Sequence, residues 1–310
     1  MIIDTHAHIF AKGWIPRKFY HGIARFITHE FAKQGVYQTN EEIGDSLIDT
    51  THDPEAENLL AEMDEAGINK SVIFPIDFGL AAGDPEVPIL DVNKHIAELA
   101  QKHPDRLIAF ASVDPRRENA LDLFVRGVEE WGMRGLKLHP SAGFYVNQKE
   151  VYPLLNKASE LNVPVIFHSS CMMMPWRSKY SQAIYFDDLA VDFPDLPIIA
   201  AHAGGMLGYL QMLAIMLVKI NILVDISSWQ VMAQKNYSRF CRALRDLMDF
   251  SEPERILFGT DTPSFRSLMS NTEWVQIIKD LPKNAPEGIQ FTEEEIALVL
   301  GGNAQKLLQL

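Results

Sequence analysis

The chain has 310 residues, of which 47% are hydrophobic and 22% charged, as in a globular protein with a sizeable core. A formal net charge of −13 without any basic stretch argues against nucleic acid as a partner. The two cysteines, Cys171 and Cys241, form no CxxC pair, which excludes a disulfide framework or a zinc ribbon. The N-terminal segment MIIDTHAHIF has neither a basic region nor a cleavage site, so we expect a cytoplasmic protein.

Short apolar runs alternate with helical patterns along the chain, an order typical of βα units that build a parallel sheet. The runs are continuous, as expected for strands that are buried on both faces. They predict strands at residues 2–6, 71–76, 107–113, 135–139, 163–168, 197–202, 222–226 and 256–259. Helices are predicted at residues 55–66, 89–103, 118–131, 150–161, 183–193 and 239–250. The pattern TEEE at 292–295 is a capping box that predicts a last helix towards residue 308.

No stretch rich in proline, glycine or serine divides this α/β pattern, so we predict one domain over residues 1–310. Eight strands that alternate with helices predict a single closed (β/α)8 TIM barrel. The rival architecture, a doubly wound open sheet, normally carries a glycine-rich fingerprint after its first strand, which this chain lacks.

The connection after the first strand, residues 10–54, is far longer than a usual βα loop. It carries the aromatic residues Trp14, Phe19, Tyr20, Phe26 and Phe31. Long connections at the carboxyl ends of barrel strands shape substrate pockets, so this insertion is predicted to be a cap that forms part of one.

The segment 206–220, MLGYLQMLAIMLVKI, is almost entirely apolar. It is shorter than the ~20 residues that cross a bilayer, and Gln211 and Lys219 interrupt it, so we predict no membrane span. An outer helix of a barrel should expose a polar face to water, whereas residues 206–218 offer almost only Gln211. We therefore predict a homo-oligomer, a dimer formed through helix 206–218.

Five of the ten histidines fall at or just beyond the predicted strand ends, where the active sites of closed parallel barrels lie. These histidines are His6, His8, His139, His168 and His202, and the aspartates that close apolar runs are Asp114, Asp225 and Asp261. Asp4, His6 and His8 occupy alternate positions of one strand, so their side chains point the same way and the two imidazoles can converge on one cation. Taken alone, this HxH pair favours two structural histidines; the polar residues that end the fifth, sixth and eighth strands favour a metal site instead.

Five segments resemble the amidohydrolase-related TIM-barrel family, in the branch that contains aminocarboxymuconate-semialdehyde decarboxylase, resorcylate decarboxylases and related lactone hydrolases. The segments are DTHAHIF, VIFHSS, AAHAGG, ILFGTDTP and LGGNAQKLLQL, and they span nearly the whole chain in the order typical of the family. Each segment alone has little specificity, but their joint order is highly specific.

The resemblance implies one divalent metal ion, with zinc favoured over manganese, whose ligands are His6, His8, His168 and Asp261. His202 then lies beside the metal-bound water or the substrate, where it orients the water or stabilises negative charge. Asp261 is also catalytic, because a carboxylate that touches the metal can accept the proton of the water and pass it to a leaving group. Asp4 is interpreted as a support behind the ligands, with an ordinary turn carboxylate as the alternative.

The fourth predicted strand, RGLKLHP, places Lys137 and His139 on one face. In two-metal relatives a carboxylated lysine of this strand bridges the ions; Lys137 lies one pleat deeper than His139, so we predict no bridge and a single metal. The residues predicted to bind a substrate carboxylate or to line its pocket are His139, Trp176, Arg177 and Arg266. A structural or solvated role is the alternative for each. Asp114 and Asp225 are predicted to be structural, with contact to the substrate as the alternative.

Three functions are compatible with these residues. The first is a metal-dependent hydrolase of a small carboxylated ester, lactone or amide. The second is a metal-dependent non-oxidative decarboxylase of an aromatic or muconate-type acid. In the decarboxylase, Asp261 or His202 protonates the carbon from which CO2 leaves. The segments VPVIFHSS and GLKLHP are more similar to the hydrolase-like members of the family, which favours the hydrolase. A metal-free binding barrel is the third, and it is disfavoured because every expected ligand position is filled.

Overall fold

The computed structural model describes residues 1–310 and contains nine short β-strands. They are β1 (Ile3–His8), β2 (Lys70–Phe74), β3 (Leu107–Ala109), β4 (Ala111–Ser112), β5 (Leu136–Leu138), β6 (Val165–His168), β7 (Ile198–Ala201), β8 (Ile222–Asp225) and β9 (Ile256–Leu257). All eight predicted strands are confirmed, and the third is divided in two at Phe110. β1 runs two residues beyond its predicted end, so both histidines of the HxH pair lie on the strand.

The strands form a parallel array in which each strand pairs with the next along the chain, except that β3 and β4 do not pair with each other. The Phe110 N–H donates to the Ile73 oxygen at 3.0 Å, and the Ala111 N–H donates to the Gly135 oxygen at 2.9 Å. The ladder therefore continues through Phe110, and β3 and β4 are two halves of one barrel strand.

The first strand also pairs with residues 258–262, which directly follow β9. Three backbone N–H groups donate between them: Thr5 to the Phe258 oxygen (2.9 Å), Asp261 to the His6 oxygen (2.8 Å) and His8 to the Thr262 oxygen (2.8 Å). These bonds alternate in direction as in a parallel ladder, so they close the array into an eight-stranded ring.

Fifteen α-helices surround and extend the ring. They are α1 (Arg17–Lys33), α2 (Asn40–Thr50), α3 (Glu57–Ala66), α4 (Gly79–Ala82), α5 (Ile89–Lys102), α6 (Ala120–Glu129), α7 (Tyr152–Glu160), α8 (Tyr185–Asp192), α9 (Tyr209–Met216), α10 (Gln230–Lys235), α11 (Tyr237–Ser251), α12 (Asn271–Lys279), α13 (Leu281–Asn284), α14 (Glu293–Ala297) and α15 (Asn303–Leu308). The predicted capping box is confirmed at the start of α14, where the Thr292 side chain accepts from the Glu295 N–H. The helices α1, α2, α4, α10, α12 and α13 were not predicted.

The interior of the ring is apolar towards the amino ends of the strands. Side chains such as Val72, Ile108 and Leu257 form a buried cluster inside the ring, and Leu308 of α15 packs against it. Because all strands run in the same direction, the polar residues at their carboxyl ends gather at the opposite end of the ring. The site is therefore built on a rigid apolar base.

The long insertion at residues 10–54 folds into α1 and α2, which pack against each other. Helix α1 lies against the loop that follows β6: a Cβ added to Gly22 would lie 2.6 Å from Pro175 Cδ, and the ring of Phe19 stacks on Trp176 at 5.8 Å. The insertion thus contacts a loop at the carboxyl end of the barrel.

Helix α9 is shorter than the predicted 206–218 but keeps its apolar character. The side chains of Leu207, Leu210, Leu217 and Val218 on and beside it are between 58% and 68% exposed. None of the helices combines the length and the hydrophobicity that a bilayer crossing requires.

Candidate metal centre

Three of the predicted ligands meet at one point. The Asp261 Oδ1 atom lies 3.4 Å from His8 Nε2 and 3.7 Å from His6 Nε2, and all three residues are buried. One ligand atom from each lies within 4.8 Å of the others. Two imidazole nitrogens and a carboxylate oxygen form a donor set that suits zinc or manganese.

The orientation of His6 is set on the opposite side of its ring. Its Nδ1 lies 2.8 Å from Asp225 Oδ2, and because a carboxylate only accepts, Nδ1 carries the proton. Burial lowers the pKa of His6 well below its usual value, so the ring is neutral and Nε2 offers a lone pair towards His8 and Asp261. This is the state that a metal ligand needs.

Lys137 reaches the same point. Its Nζ lies 3.1 Å from His6 Nε2 and 4.7 Å from the centre of the Phe74 ring, although the side chain is completely buried. Burial lowers the pKa of Lys137 to about 8. The sequence placed Lys137 deeper than His139, and the backbone does lie deeper, but the four-carbon side chain brings the amino group to the centre.

His168 and His202 form a second pair of rings beside the first. The His168 Nε2 donates to the Ser170 carbonyl at 3.0 Å, so its Nδ1 is free of a proton. The His202 Nδ1 faces the Ser227 carbonyl at 3.2 Å and therefore carries a proton, which leaves Nε2 free. The two free nitrogens lie 3.0 Å apart, and burial lowers the pKa of His168 to about 3 and that of His202 as well. Two lone pairs at this distance repel each other unless a cation lies between or beside them, which again fits a metal-binding site.

The structure thus brings His6, His8 and Asp261 together and sets His168 beside His202, whose ring centre is 4.8 Å from that of His6. A different trio, His6, His202 and Asp225, also has ligand atoms within 4.8 Å of one another. The Ser227 hydroxyl lies among these three and forms hydrogen bonds with them. This second trio is therefore a hydrogen-bonded network.

Asp4 supports the centre through the backbone. Its carboxylate accepts from the His6 N–H at 3.0 Å, from the Thr260 N–H at 3.0 Å and from the Thr260 hydroxyl at 2.6 Å. Burial raises the pKa of Asp4 to about 7, while the three donors oppose that shift. Asp4 thus ties β1 to the segment that carries Asp261.

The strands also approach closely at Gly259. A Cβ added there would lie 3.0 Å from the His6 Cβ and 2.9 Å from the Ser227 Cβ, so only glycine fits without displacement. The backbone just beyond is left-handed at Asp261 (φ 57°), and the backbone of His202 is left-handed too (φ 62°). Such unfavourable conformations cluster at functional sites, where surrounding bonds hold them.

His139 and Trp176 belong to an aromatic wall next to the histidines. The His139 ring stacks on His168 at 4.2 Å and accepts from or donates to the Ser141 hydroxyl at 2.8 Å. Phe78 lies 4.7 Å from the His139 ring and 4.9 Å from Trp176. The indole Nε1 of Trp176 is buried and has no hydrogen-bond partner. Phe78 was missed because a phenylalanine after an apolar strand looks like ordinary core.

The two predicted arginines are placed differently. The guanidinium of Arg266 pairs with Glu62 and lies 3.5 Å from the Thr50 oxygen, so its charge is already balanced. Arg177 is exposed and forms no ion pair. Arg266 therefore already has an acidic partner, whereas Arg177 has none.

One cleft of the structure lies away from the histidines. It has a volume of about 620 Å³ between the cap and residues 82–86, and its lining includes Lys12, Arg17, Asp45 and Glu86 but none of the candidate ligands.

A closed parallel barrel with buried histidines and an aspartate at its strand ends is an arrangement typical of metal-dependent barrel enzymes. The chain matches the model of the amidohydrolase family over residues 3–310, so it belongs to that family. The resemblance seen in the five sequence segments is thereby confirmed. No curated protein matches the chain significantly in sequence.

Several solved structures share the fold. The probable 2-pyrone-4,6-dicarboxylic acid hydrolase of Acinetobacter baumannii, with citric acid bound, is 17% identical with a TM-score of 0.64, and the match covers 100% of this chain and 99% of that one. The 5-carboxyvanillate decarboxylase of Novosphingobium aromaticivorans, with manganese and a nitrobenzoic acid bound, is 16% identical with a TM-score of 0.68 over 100% and 97%. The 4-oxalomesaconate hydratase of Rhodopseudomonas palustris is 19% identical with a TM-score of 0.62 over 100% and 96%. The predicted TIM barrel is confirmed, and the similar structures include both hydrolytic and decarboxylating enzymes.

Proposed function

We propose that the protein is a metal-dependent hydrolase of a small carboxylated ester, lactone or amide. The observation that carries this proposal is the position of Asp261, whose carboxylate lies 3.4 Å and 3.7 Å from the Nε2 atoms of His8 and His6. From there it can bind a cation and also accept a proton from a neighbouring water. Membership of the amidohydrolase family is consistent with this function and with the decarboxylase described below.

The residues that would hold the cation are His6, His8 and Asp261, with His168 as a further ligand. When bound, the cation lowers the pKa of a coordinated water from 15.7 to about 7, which supplies a nucleophile at neutral pH. We propose zinc because imidazole ligands predominate. Manganese is the alternative, and the similar carboxyvanillate decarboxylase contains it.

Asp261 and His202 then have different roles, proton transfer and orientation of the water. Asp261 accepts the proton of the water and passes it to the leaving group. The proton on His202 Nδ1 is engaged by Ser227, so His202 Nε2 accepts a hydrogen bond. Of the two roles considered for His202, this tautomer favours orientation of the water over stabilisation of negative charge.

The substrate would lie between the centre and the cap. His139 and Trp176 line this side, and the unpaired Trp176 N–H is a donor available to a carboxylate or a ring oxygen. Arg177 supplies the free positive charge. Phe19 of α1 stacks on Trp176, so the insertion contributes to the pocket as well.

The second candidate function is a metal-dependent non-oxidative decarboxylase of an aromatic or muconate-type acid. The wall formed by Phe19, Phe78 and Trp176 favours it, because stacked aromatic rings accommodate a planar substrate. Asp261 or His202 would then protonate the carbon from which CO2 leaves.

One experiment separates the two functions. Protein purified without chelator is analysed for metal, loaded with zinc or manganese, and incubated with a panel of lactones, esters, amides and aromatic acids. We expect hydrolysed product without CO2; CO2 release without hydrolysed product would establish the decarboxylase instead. Protein that contains no metal, and gains no activity with either ion, contradicts both functions.

We also propose that the apolar surface of α9 binds the same surface of a second copy. Leu210, Leu217 and Val218 are exposed in the single chain, and a homodimer would bury them. Light scattering should give twice the monomer mass, and Leu210→Glu should restore the monomer. A wild-type monomer at high concentration contradicts this proposal.

A further inference from the structure

The carboxylate of Asp225 lies on the side of the His6 ring that faces away from the candidate ligands. Its Oδ2 accepts the Nδ1 hydrogen of His6 at 2.8 Å. Its Oδ1 accepts from the backbone N–H groups of His202 at 2.9 Å and Ser227 at 3.0 Å, and also from the Ser227 hydroxyl. Asp225 is completely buried, so these bonds form without competition from water.

The Ser227 hydroxyl joins this carboxylate to the second ring. Since Ser227 donates its hydrogen to Asp225, its oxygen is left as an acceptor for the Nδ1 hydrogen of His202, 2.8 Å away. The same oxygen lies 3.2 Å from His6 Nδ1. One carboxylate and one hydroxyl therefore engage the Nδ1 atoms of both histidines.

We propose that Asp225 is a positioning residue that fixes the tautomer of His6, and that Ser227 extends the same constraint to His202. With Nδ1 protonated, each ring turns a proton-free Nε2 towards the centre. This inference rests on the proposed metal site, because its consequence is that His6 is ready to bind a cation. Hydrogen-bond partners of this kind behind metal-binding histidines commonly change metal affinity by about 10- to 100-fold.

Replacing one carboxylate oxygen of Asp225 by an amide nitrogen tests whether this residue sets the tautomer of His6. In Asp225→Asn, the three donors that meet at Oδ1 retain the amide oxygen there, which turns the amide nitrogen towards His6. An N–H group then faces His6 Nδ1, which must accept. The His6 proton moves to Nε2, where it points at His8 and Asp261 and occupies the lone pair needed by the cation.

The experiment measures Mn²⁺ affinity by competition with a chelator in four proteins: wild type, Asp225→Asn, Ser227→Ala and Asp53→Asn. The last is a matched control, since Asp53 is also buried but accepts only backbone N–H groups, from Asn58 and Leu59. We expect Asp225→Asn to bind at least ~10-fold more weakly than wild type. Ser227→Ala should lose about threefold, as expected for one hydrogen bond, and Asp53→Asn should match wild type.

A spectroscopic measurement accompanies the titrations. Nitrogen-15 NMR of the metal-free, histidine-labelled wild type should show His6 protonated at Nδ1, and Asp225→Asn should show it protonated at Nε2. Wild-type His6 protonated at Nε2 would overturn the inference, even if the variant fails to fold. Asp225→Asn that binds Mn²⁺ as tightly as Asp53→Asn would also overturn it. If the wild type binds neither Mn²⁺ nor Zn²⁺, the proposed function fails, while the tautomer still decides the role of Asp225.

Discussion

The two sides of the His6 ring differ in how their polar atoms are satisfied. On the Nδ1 side, Asp225 and Ser227 form a closed network in which every donor meets an acceptor. On the Nε2 side, His8 and Asp261 lie close to His6 but form no such hydrogen-bonded network with it. The only donor near His6 Nε2 on this side is the amino group of Lys137. Similar residue types therefore produce a hydrogen-bonded network on one side and a candidate cation site on the other.

The largest effect is expected on the Nε2 side. Asp261→Asn should reduce turnover by at least ~10³-fold, because the amide can neither accept the proton of the water nor bind a cation as a carboxylate does. His6→Ala should lose the metal as well as the activity, as measured by metal analysis after gel filtration. His29→Ala, at an exposed histidine of the cap, is the control and should remain fully active. Near wild-type turnover in either site variant would refute the assignment.

The second largest effect is expected at Gly259, where the chain packs closely against both His6 and Ser227. Gly259→Ala places a Cβ about 3 Å from both His6 and Ser227, so the strands must separate. We expect a loss of ~1–3 kcal/mol in the free energy of unfolding, together with weaker metal binding. Urea denaturation measures the first quantity. Gly302→Ala, at a helical position next to the flexible end of Leu298, should change stability by less than ~0.5 kcal/mol. Equal effects would show that Gly259 has no special role.

Acid should destabilise the metal-free protein through its neutral histidines. Burial lowers the pKa of His6, His8, His139, His168 and His202. Below about pH 6.5 the unfolded chain binds protons at these rings, while folded His168 remains neutral down to about pH 3. Unfolding then takes up protons, so stability falls as the pH falls, by ~1.4 kcal/mol per pH unit for each proton.

Asp4 acts in the opposite sense, because its raised pKa, about 7, keeps a proton on the folded chain. One carboxyl group cannot offset five histidines, so the net slope keeps its sign. Denaturant titrations between pH 7 and pH 4 provide the measurement. A stability that stays constant or rises towards pH 4 would contradict neutral histidines in the folded protein.

The smallest effect is expected on Mn²⁺ affinity, and it has opposite signs for the two sides of the His6 ring. Lys137→Met removes an ammonium group 3.1 Å from a ligand nitrogen, which lowers the repulsion of a divalent cation. We expect Mn²⁺ to bind about 3- to 10-fold more tightly, the opposite of Asp225→Asn. Lys94→Met, at an exposed lysine, should change nothing. Weaker binding in Lys137→Met would instead make Lys137 a ligand in its own right.

The polar residues at the ends of the strands could be predicted because their positions follow from the local sequence pattern. Continuous apolar runs predict buried parallel strands, and alternation along β1 predicts that His6 and His8 share a face. The ligand assignment of His6, His8, His168 and Asp261 came from the family resemblance and remains a prediction, although three of these residues do converge. Contacts that depend on side-chain reach were not predicted, among them those of Lys137 and Asp225 with the His6 ring. The substrate contact of Arg266 stays a prediction, and its ion pair with Glu62, from a distant part of the chain, was not foreseen.

The sequence by itself determined the barrel, its strand order and the gathering of histidines and Asp261 at one end, because these follow from periodicity and from parallel connections. Only the tertiary structure decided which atoms of those residues face each other. A ring nitrogen acquires its role from the partner across the barrel, as His6 does from Asp225, which lies 219 residues away. Such pairings depend on the closure of the ring, and no local pattern encodes them.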